Sequence, residues 1–248
     1  MRLLTFLAAG FLAAMGQAAL AQQGPPDGFS AGISFTEATN PYVGEANETF
    51  PIPLISYRNG PFELSTNGLG YQVYDDGPFS VTLGLRPRFT GLLSTDGPEL
   101  EGIDRNVTGD AAIEARYDRG FAFVAAALRQ EVTGEHEGQE ARLRVGARAR
   151  LAPRTALVFD VGAAWQSDDL SRYIWGVNAE EARVDRPAFS PGEVIVPFSS
   201  LTMRTAISDT GSLITSVRVD FLPEDVTDSP IIEDETIVAV FLGLSWQF

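Results

Sequence analysis

The single histidine, His136, stands between Glu135 and Glu137. One imidazole with two flanking carboxylates is a sparse donor set for a metal, and this polar stretch reads as a solvated loop tip. The chain holds no cysteine, which excludes a disulfide framework and any thiolate nucleophile. A Ser-His-Asp triad would have to recruit His136, and no Gly-x-Ser-x-Gly segment offers the exposed serine such a site needs. The sequence therefore predicts no enzyme: no catalytic residue, no cofactor and no metal site.

The charged residues carry a clearer pattern. Arg142, Arg144, Arg148 and Arg150 alternate with Ala141, Leu143, Val145, Ala147, Ala149 and Leu151. Glu114, Arg116 and Asp118 alternate with Ile113, Ala115 and Tyr117, Asp160 opposes the row Leu157, Phe159, Val161, and Arg218 and Asp220 oppose Val217, Val219 and Phe221. A period of two puts each charged row on one face of a strand and each apolar row on the other. In a membrane barrel the apolar rows meet lipid and the charged rows line the lumen. There the arginines either draw anions through an open passage or pair with Glu114, Asp118 and Asp160 and fill a narrow barrel; about twelve strands permits both.

The connections choose the barrel over a soluble sandwich. Strand-like segments at about 28–36, 50–58, 61–66, 69–74, 79–91, 109–118, 121–131, 139–151, 155–166, 193–208, 212–222 and 236–248 number twelve, and no helical periodicity is seen beyond the first residues. Tight turns (Asn59-Gly60, Asp75 to Pro78, Arg119-Gly120, Ala152 to Arg154, Asp209 to Gly211) alternate with long connections near 37–49, 92–108, 132–138, 167–192 and 223–235. Short turns at the periplasmic end and long loops outside are the outer-membrane arrangement. Asn67-Gly68 is a tight turn on the long-loop side. Reading it as a hairpin gives twelve strands, and discounting the two short segments it joins gives ten.

Both chain ends agree with export. Residues 1–21 read as a signal peptide, with Arg2, an apolar run from Leu3 to Met15, and a cleavage site at Ala19-Leu20-Ala21, leaving 22–248 as one barrel domain. The last strand sets Val240, Leu242, Leu244, Trp246 and Phe248 on one apolar face, a lipid-facing edge that ends in an aromatic. Formal charge is -15, with 33 acidic residues against 18 basic, all arginine, so nucleic acid is a poor partner. The five long connections hold 20 of the acids and 4 of the arginines. The acidic loops read as solvated surface, with recruitment of divalent cations toward lipopolysaccharide as the alternative.

Several segments match one family. Asn40-Pro41-Tyr42-Val43-Gly44, then Pro51-Ile52-Pro53 to Tyr57-Arg58-Asn59-Gly60-Pro61-Phe62, then Asn67 to Tyr71, Tyr173 to Ala182 and Asp228-Ser229-Pro230-Ile231 resemble the signature blocks of the MipA/OmpV outer-membrane proteins. That resemblance implies a cell outer-membrane barrel in contact with lipid and lipopolysaccharide. It also implies that the terminal strand to Phe248 is read by the barrel-assembly machinery, and, for some members, a scaffold for a murein hydrolase and synthase. The functional expectation is a non-enzymatic anchor for murein-remodelling proteins; a small-solute pore with an Arg-lined lumen and a surface adhesin are the alternatives.

Overall fold

Alternation along the chain is resolved into inward and outward rows. The computed structural model describes residues 27–93, 95 and 97–248; the expected signal peptide lies outside them. The strands are β1 (Gly28–Ala38), β2 (Glu48–Asn59), β3 (Phe62–Ser65), β4 (Gly68–Asp75), β5 (Phe79–Arg88), β6 (Thr108–Asp118), β7 (Ala122–Glu131), β8 (Gln139–Ala152), β9 (Thr155–Gln166), β10 (Val194–Ala206), β11 (Gly211–Phe221) and β12 (Thr236–Gln247). Each pairs antiparallel with its sequence neighbours and β12 pairs back onto β1, giving a closed barrel of twelve. Closure removes the exposed first and last edges that would otherwise template aggregation.

The outer surface is apolar. Ile33, Phe35, Leu83, Leu85, Leu128, Leu143, Phe159, Leu201, Val217 and Leu242 all lie exposed, on the faces that alternation assigns outward. A soluble chain would bury such a belt; here it is continuous around the barrel and matches a lipid-facing surface. Val240, Trp246 and Phe248 belong to it, and Leu244 is half-buried within it. At the seam the Phe248 N–H donates to Phe29 O at 2.9 Å, and the two rings stand 6.0 Å apart.

Short and long connections segregate to opposite ends except at Asn67-Gly68, a short turn at the long-loop end. Gly60, Gly77 and Gly120 supply positive φ in the tight turns. The Asn67-Gly68 turn is a true hairpin between β3 and β4. Gly68, at φ +103, is required there, because a Cβ would lie 2.1 Å from Leu85 O.

The long connections are more ordered than their polarity suggests. Contrary to the reading of no helix beyond the first residues, Asp168–Trp175 forms α1, capped by Ser167, whose side chain accepts from the Leu170 N–H. Its eight residues are too few to impress a helical period on the sequence. A single turn, α2, spans Glu224–Thr227. Tyr42, Leu93, Leu100, Ile103, Leu170, Ile174, Trp175, Val177, Val226, Ile231 and Ile232 pack with the strand ends at Ala38, Val194 and Ile237 into one apolar cluster. The loops thus form a lid with its own core, while Glu224, Asp225, Asp228, Glu233 and Glu235 remain exposed on its surface.

Candidate functional site: a paired-charge lumen under a folded lid

Most of the inward-facing charges are gathered on β5 to β9 and on β11, with one further pair, Arg58 and Glu63, on β2 and β3. Nearest the lid, Arg88 donates to Asp110 Oδ2 at 2.7 Å and to Glu140 Oε2 at 3.1 Å, and Arg142 Nη2 stands 3.0 Å from Glu140 Oε1. Beside them Arg218 grips Asp220 through two contacts of 2.8 and 2.5 Å. At mid-height Arg86 forks onto Glu114 at 3.1 and 2.8 Å, with Arg129 Nη2 at 3.7 Å from the same carboxylate. Asp160 accepts from Ser200 Oγ at 2.7 Å and lies 4.0 Å from Arg144. Toward the short-turn end Arg148 donates to both oxygens of Asp118, at 2.7 and 2.5 Å, and Arg116 approaches the same group at 3.2 Å.

Two phenylalanines sit among these guanidiniums. Phe123 has Arg116 3.8 Å, Arg148 5.2 Å and Arg144 5.5 Å from its ring centroid. Phe198 has Arg218 at 3.9 Å and Arg142 at 5.7 Å. An aromatic face attracts a cation most when water is excluded, so the rings supply countercharge where carboxylates run short. Gly146 makes room: a Cβ there would lie 2.4 Å from Phe123 Cζ.

Of the residues expected to line the lumen, Arg142, Arg144, Arg148, Glu114, Arg116, Asp118, Asp160, Arg218 and Asp220 all enter these clusters. Arg150 shares their parity but joins none of these clusters; it is exposed near the short-turn end, where β8 shifts register between Arg150 and Ala152. Arg86, Arg88, Asp110, Arg129, Glu140, Phe123 and Phe198 were not singled out. The available signal was parity: Glu140 lies two residues before Arg142, and Phe123 shares a face with Arg129.

The expectation of a solvated tip at His136 is corrected. It is half-buried rather than at a solvated tip: its ring stacks on Tyr173 at 4.6 Å and its Nδ1 accepts from the Gly138 N–H at 3.0 Å. Burial, and then the charge of Arg88, push its pKa below the usual value. Among the described residues no group of three or more His, Asp or Glu is placed to hold a metal ion.

The motif segments converge in and around the lid. Pro41 O accepts from the Glu233 N–H at 2.9 Å, Tyr42 bridges to Ile232 and Val43 N–H donates to Ile231 O at 3.0 Å. The Tyr42 hydroxyl reaches Ile174 O at 2.9 Å and Ser229 Oγ reaches Trp175 O at 2.5 Å, with Asp228 and Pro230 on either side of that serine. Gly44 turns the first loop at φ +75. Arg105 ties Glu181 and Gly176 O beneath the lid. Burial works against the Glu181 carboxylate, but the Arg105 guanidinium and the Asn178 N–H more than offset it, and its pKa falls. The remaining motif residues serve the barrel. Arg58 pairs inward with Glu63, Tyr57 faces outward, Gly60 accepts the turn, Pro61 and Phe62 lead into β3, and Pro53 lies in β2.

A closed antiparallel barrel with an apolar exterior and a charged interior is an integral outer-membrane protein. The chain belongs to the MipA family: the family model described as MltA-interacting protein MipA matches residues 31–248. Curated relatives agree on the compartment. Escherichia coli (strain K12) YiaT, named an outer membrane protein, is 27% identical over 222 residues, covering 88% of this chain and 89% of its own. MltA-interacting protein of the same organism is 22% identical over 224 residues, covering 89% and 90%. Outer membrane protein OmpV of Vibrio cholerae is 22% identical over 195 residues, covering 77% and 76%. Among solved structures, the KdgM porin gives a TM-score of 0.47 at 9% identity, over 88% of this chain and 99% of that one. An outer membrane channel from Pseudomonas putida F1 gives 0.48 at 12%, over 92% and 98%.

Proposed function

We propose that the protein is a non-enzymatic barrel that anchors murein-remodelling proteins at the outer membrane, its long-loop end outside the cell and its short-turn end toward the periplasm. One observation carries this reading: the luminal guanidiniums are engaged by carboxylates and aromatic rings beneath a lid with an apolar core. Charge held by its neighbours is a poor relay for a passing anion, and a packed mouth is a poor entrance. The name of the relative, MltA-interacting protein, supports a partner of the murein-hydrolase class. Docking then falls on the short-turn rim, where Arg119, Arg154 and Asp209 are exposed; the stretch 22–26, expected to contribute, lies outside the described residues.

The test is affinity capture of the full-length protein from detergent-solubilised envelopes. A lytic transglycosylase or a murein synthase is expected to co-elute, and Arg119→Glu with Arg154→Glu is expected to reduce the yield. Recovery of neither enzyme would overturn the reading. In planar bilayers the same preparation should give no sustained current; a voltage-stable single-channel conductance would move the assignment to a small-solute pore.

A further inference from the structure

The wall between β2 and β5 is incomplete. β3 meets β2 only from Ser56 to Asn59, and β4 meets β5 from Leu69 to Asp75. Beyond that level, among the described residues, no strand stands between Glu48–Leu54 of β2 and Arg86–Arg88 of β5. The gap has a floor in the Thr66–Gly68 turn, which presses on Leu85 O. It has a roof where the loop before β2 meets the loop after β5, the Gly97 N–H donating to Glu45 Oε1 at 2.6 Å.

The two edges of this gap present fewer backbone donors than ordinary strands would. On β2, Thr66 N–H donates to Ile55 O, the Ile55 N–H to Thr66 Oγ1, and the Thr66 hydroxyl to Pro53 O. The odd-numbered backbone groups of β2 therefore point into the gap; the first two above Ile55 are Pro53 and Pro51, and Thr49 follows toward the end of the strand. On β5, Leu85 O points toward Gly68, so alternation aims residue 87 the same way, and it is Pro87. At the three proline positions an ordinary residue would direct an N–H into the gap, and proline has none. An unpaired N–H in hydrocarbon costs several kcal/mol; these prolines remove the group rather than pair it. They also deny an incoming peptide the donors it would need to add as a strand.

Height and lining identify what the gap can accept. Pro51 and Pro53 face Phe35 and Ile33 across β1, which in turn face Leu242 and Leu244 of β12. Phe35, Ile33 and Leu242 are each about half exposed outward, so the gap opens in the apolar belt, on its long-loop side. Behind its β2 edge, Ile52 and Phe241 are buried and Leu54 Cδ1 lies 3.1 Å from where a Cβ on Gly243 would stand, with only the small Ser34 and Thr36 of β1 between them, Ser34 Oγ donating to Ile52 O. The arginines at the opposite edge, Arg86 and Arg88 of β5, are held by Glu114, Asp110 and Glu140.

We propose that this gap is a lateral window through which an acyl chain of a bilayer lipid enters and rests against Ile52, Leu54 and Phe241. The absence of native cysteine makes single-site labelling clean. Full-length Leu54→Cys, labelled with bimane, would be reconstituted in phosphatidylcholine liposomes carrying brominated acyl chains. Outward Leu83→Cys gives the lipid-exposed reference and inward Ala125→Cys on β7 the shielded one. The expected result is quenching at Leu54→Cys several-fold stronger than at Ala125→Cys and approaching that at Leu83→Cys. Quenching no stronger than at Ala125→Cys would overturn the proposal, as would quenching only by added brominated free fatty acid in unbrominated liposomes. Heat-modifiable migration verifies folding of each variant, and Ile52→Cys replaces Leu54→Cys if the latter does not fold, with the same two outcomes.

Discussion

The hydroxyl of Tyr42 donates to the carbonyl of Ile174 at 2.9 Å, joining residues 132 positions apart in the centre of the lid. This bond fastens the first long loop to the C-terminal end of α1. Burial pushes the Tyr42 pKa up to about 12, so the group stays a donor throughout the physiological range. Tyr42→Phe leaves the Ile174 carbonyl without this partner, at an expected cost of about 1–2 kcal/mol. The loss should be confined to the lid. Hydrogen exchange monitored by mass spectrometry should quicken in 39–47 and 168–178 and stay unchanged in the strands; an unchanged lid would show that the bond does not pin it.

Glu140 is the shared counterion of two guanidiniums, Arg88 and Arg142, and is 2% exposed. Glu140→Gln keeps the shape and removes the charge, leaving both arginines short of a partner in a low-dielectric interior. Breaking a buried pair this way costs about 3–5 kcal/mol. Urea-driven unfolding from liposomes should show that loss, and adding Arg142→Gln to Glu140→Gln should restore part of it. If the double variant is simply the sum of the two singles, the side chains are not coupled.

Strand number, closure and the inward direction of Arg142, Arg144 and Arg148 were legible in the sequence because a two-residue period encodes them directly. A row such as Leu143, Val145, Ala147 can face lipid only if its intervening arginines face the lumen. The specific pairings were not legible. Whether Glu114 meets Arg116 two residues along or Arg86 on the next strand depends on register and reach, and the structure chooses Arg86. The lid was hidden for a different reason. Its apolar residues, such as Ile103, Leu170 and Val226, are scattered singly among acidic neighbours, and only tertiary contact gathers them. The backbone role of Pro51 and Pro53 in β2 is not visible in the sequence, because it follows only from the end of β3 at Ser65.

His136 gives the lid a pH dependence. Its pKa is lowered from 6.5 by burial and then by Arg88, so folding favours the neutral ring. The unfolded chain then binds more protons in this range, and stability falls as pH falls. The contribution of His136 is fully present above pH 6.5 and is lost as pH drops through the depressed folded value. Exchange protection around 132–138 and Tyr173 should weaken below pH 6.5 in wild type and flatten in His136→Gln. A His136→Gln profile that tracks wild type would assign the dependence to another group.

Phe248 tests whether the chain end acts in assembly or only in stability. Its N–H supplies one closing bond to Phe29 O, and its ring is 78% exposed against the Phe29 ring. Deleting one exposed terminal residue removes one hydrogen bond, worth about 1 kcal/mol, from a barrel whose β1–β12 seam runs from Ser30 and Gln247 to Ala38 and Ala239. Equilibrium unfolding of the refolded deletion variant should therefore be nearly normal. If the assembly machinery reads the terminal aromatic, the heat-modifiable fraction recovered from the outer membrane of expressing cells should fall several-fold despite that small loss. A barrel that is inserted in cells as well as wild type would mean that Val240, Leu242 and Trp246 suffice as the address without the final ring.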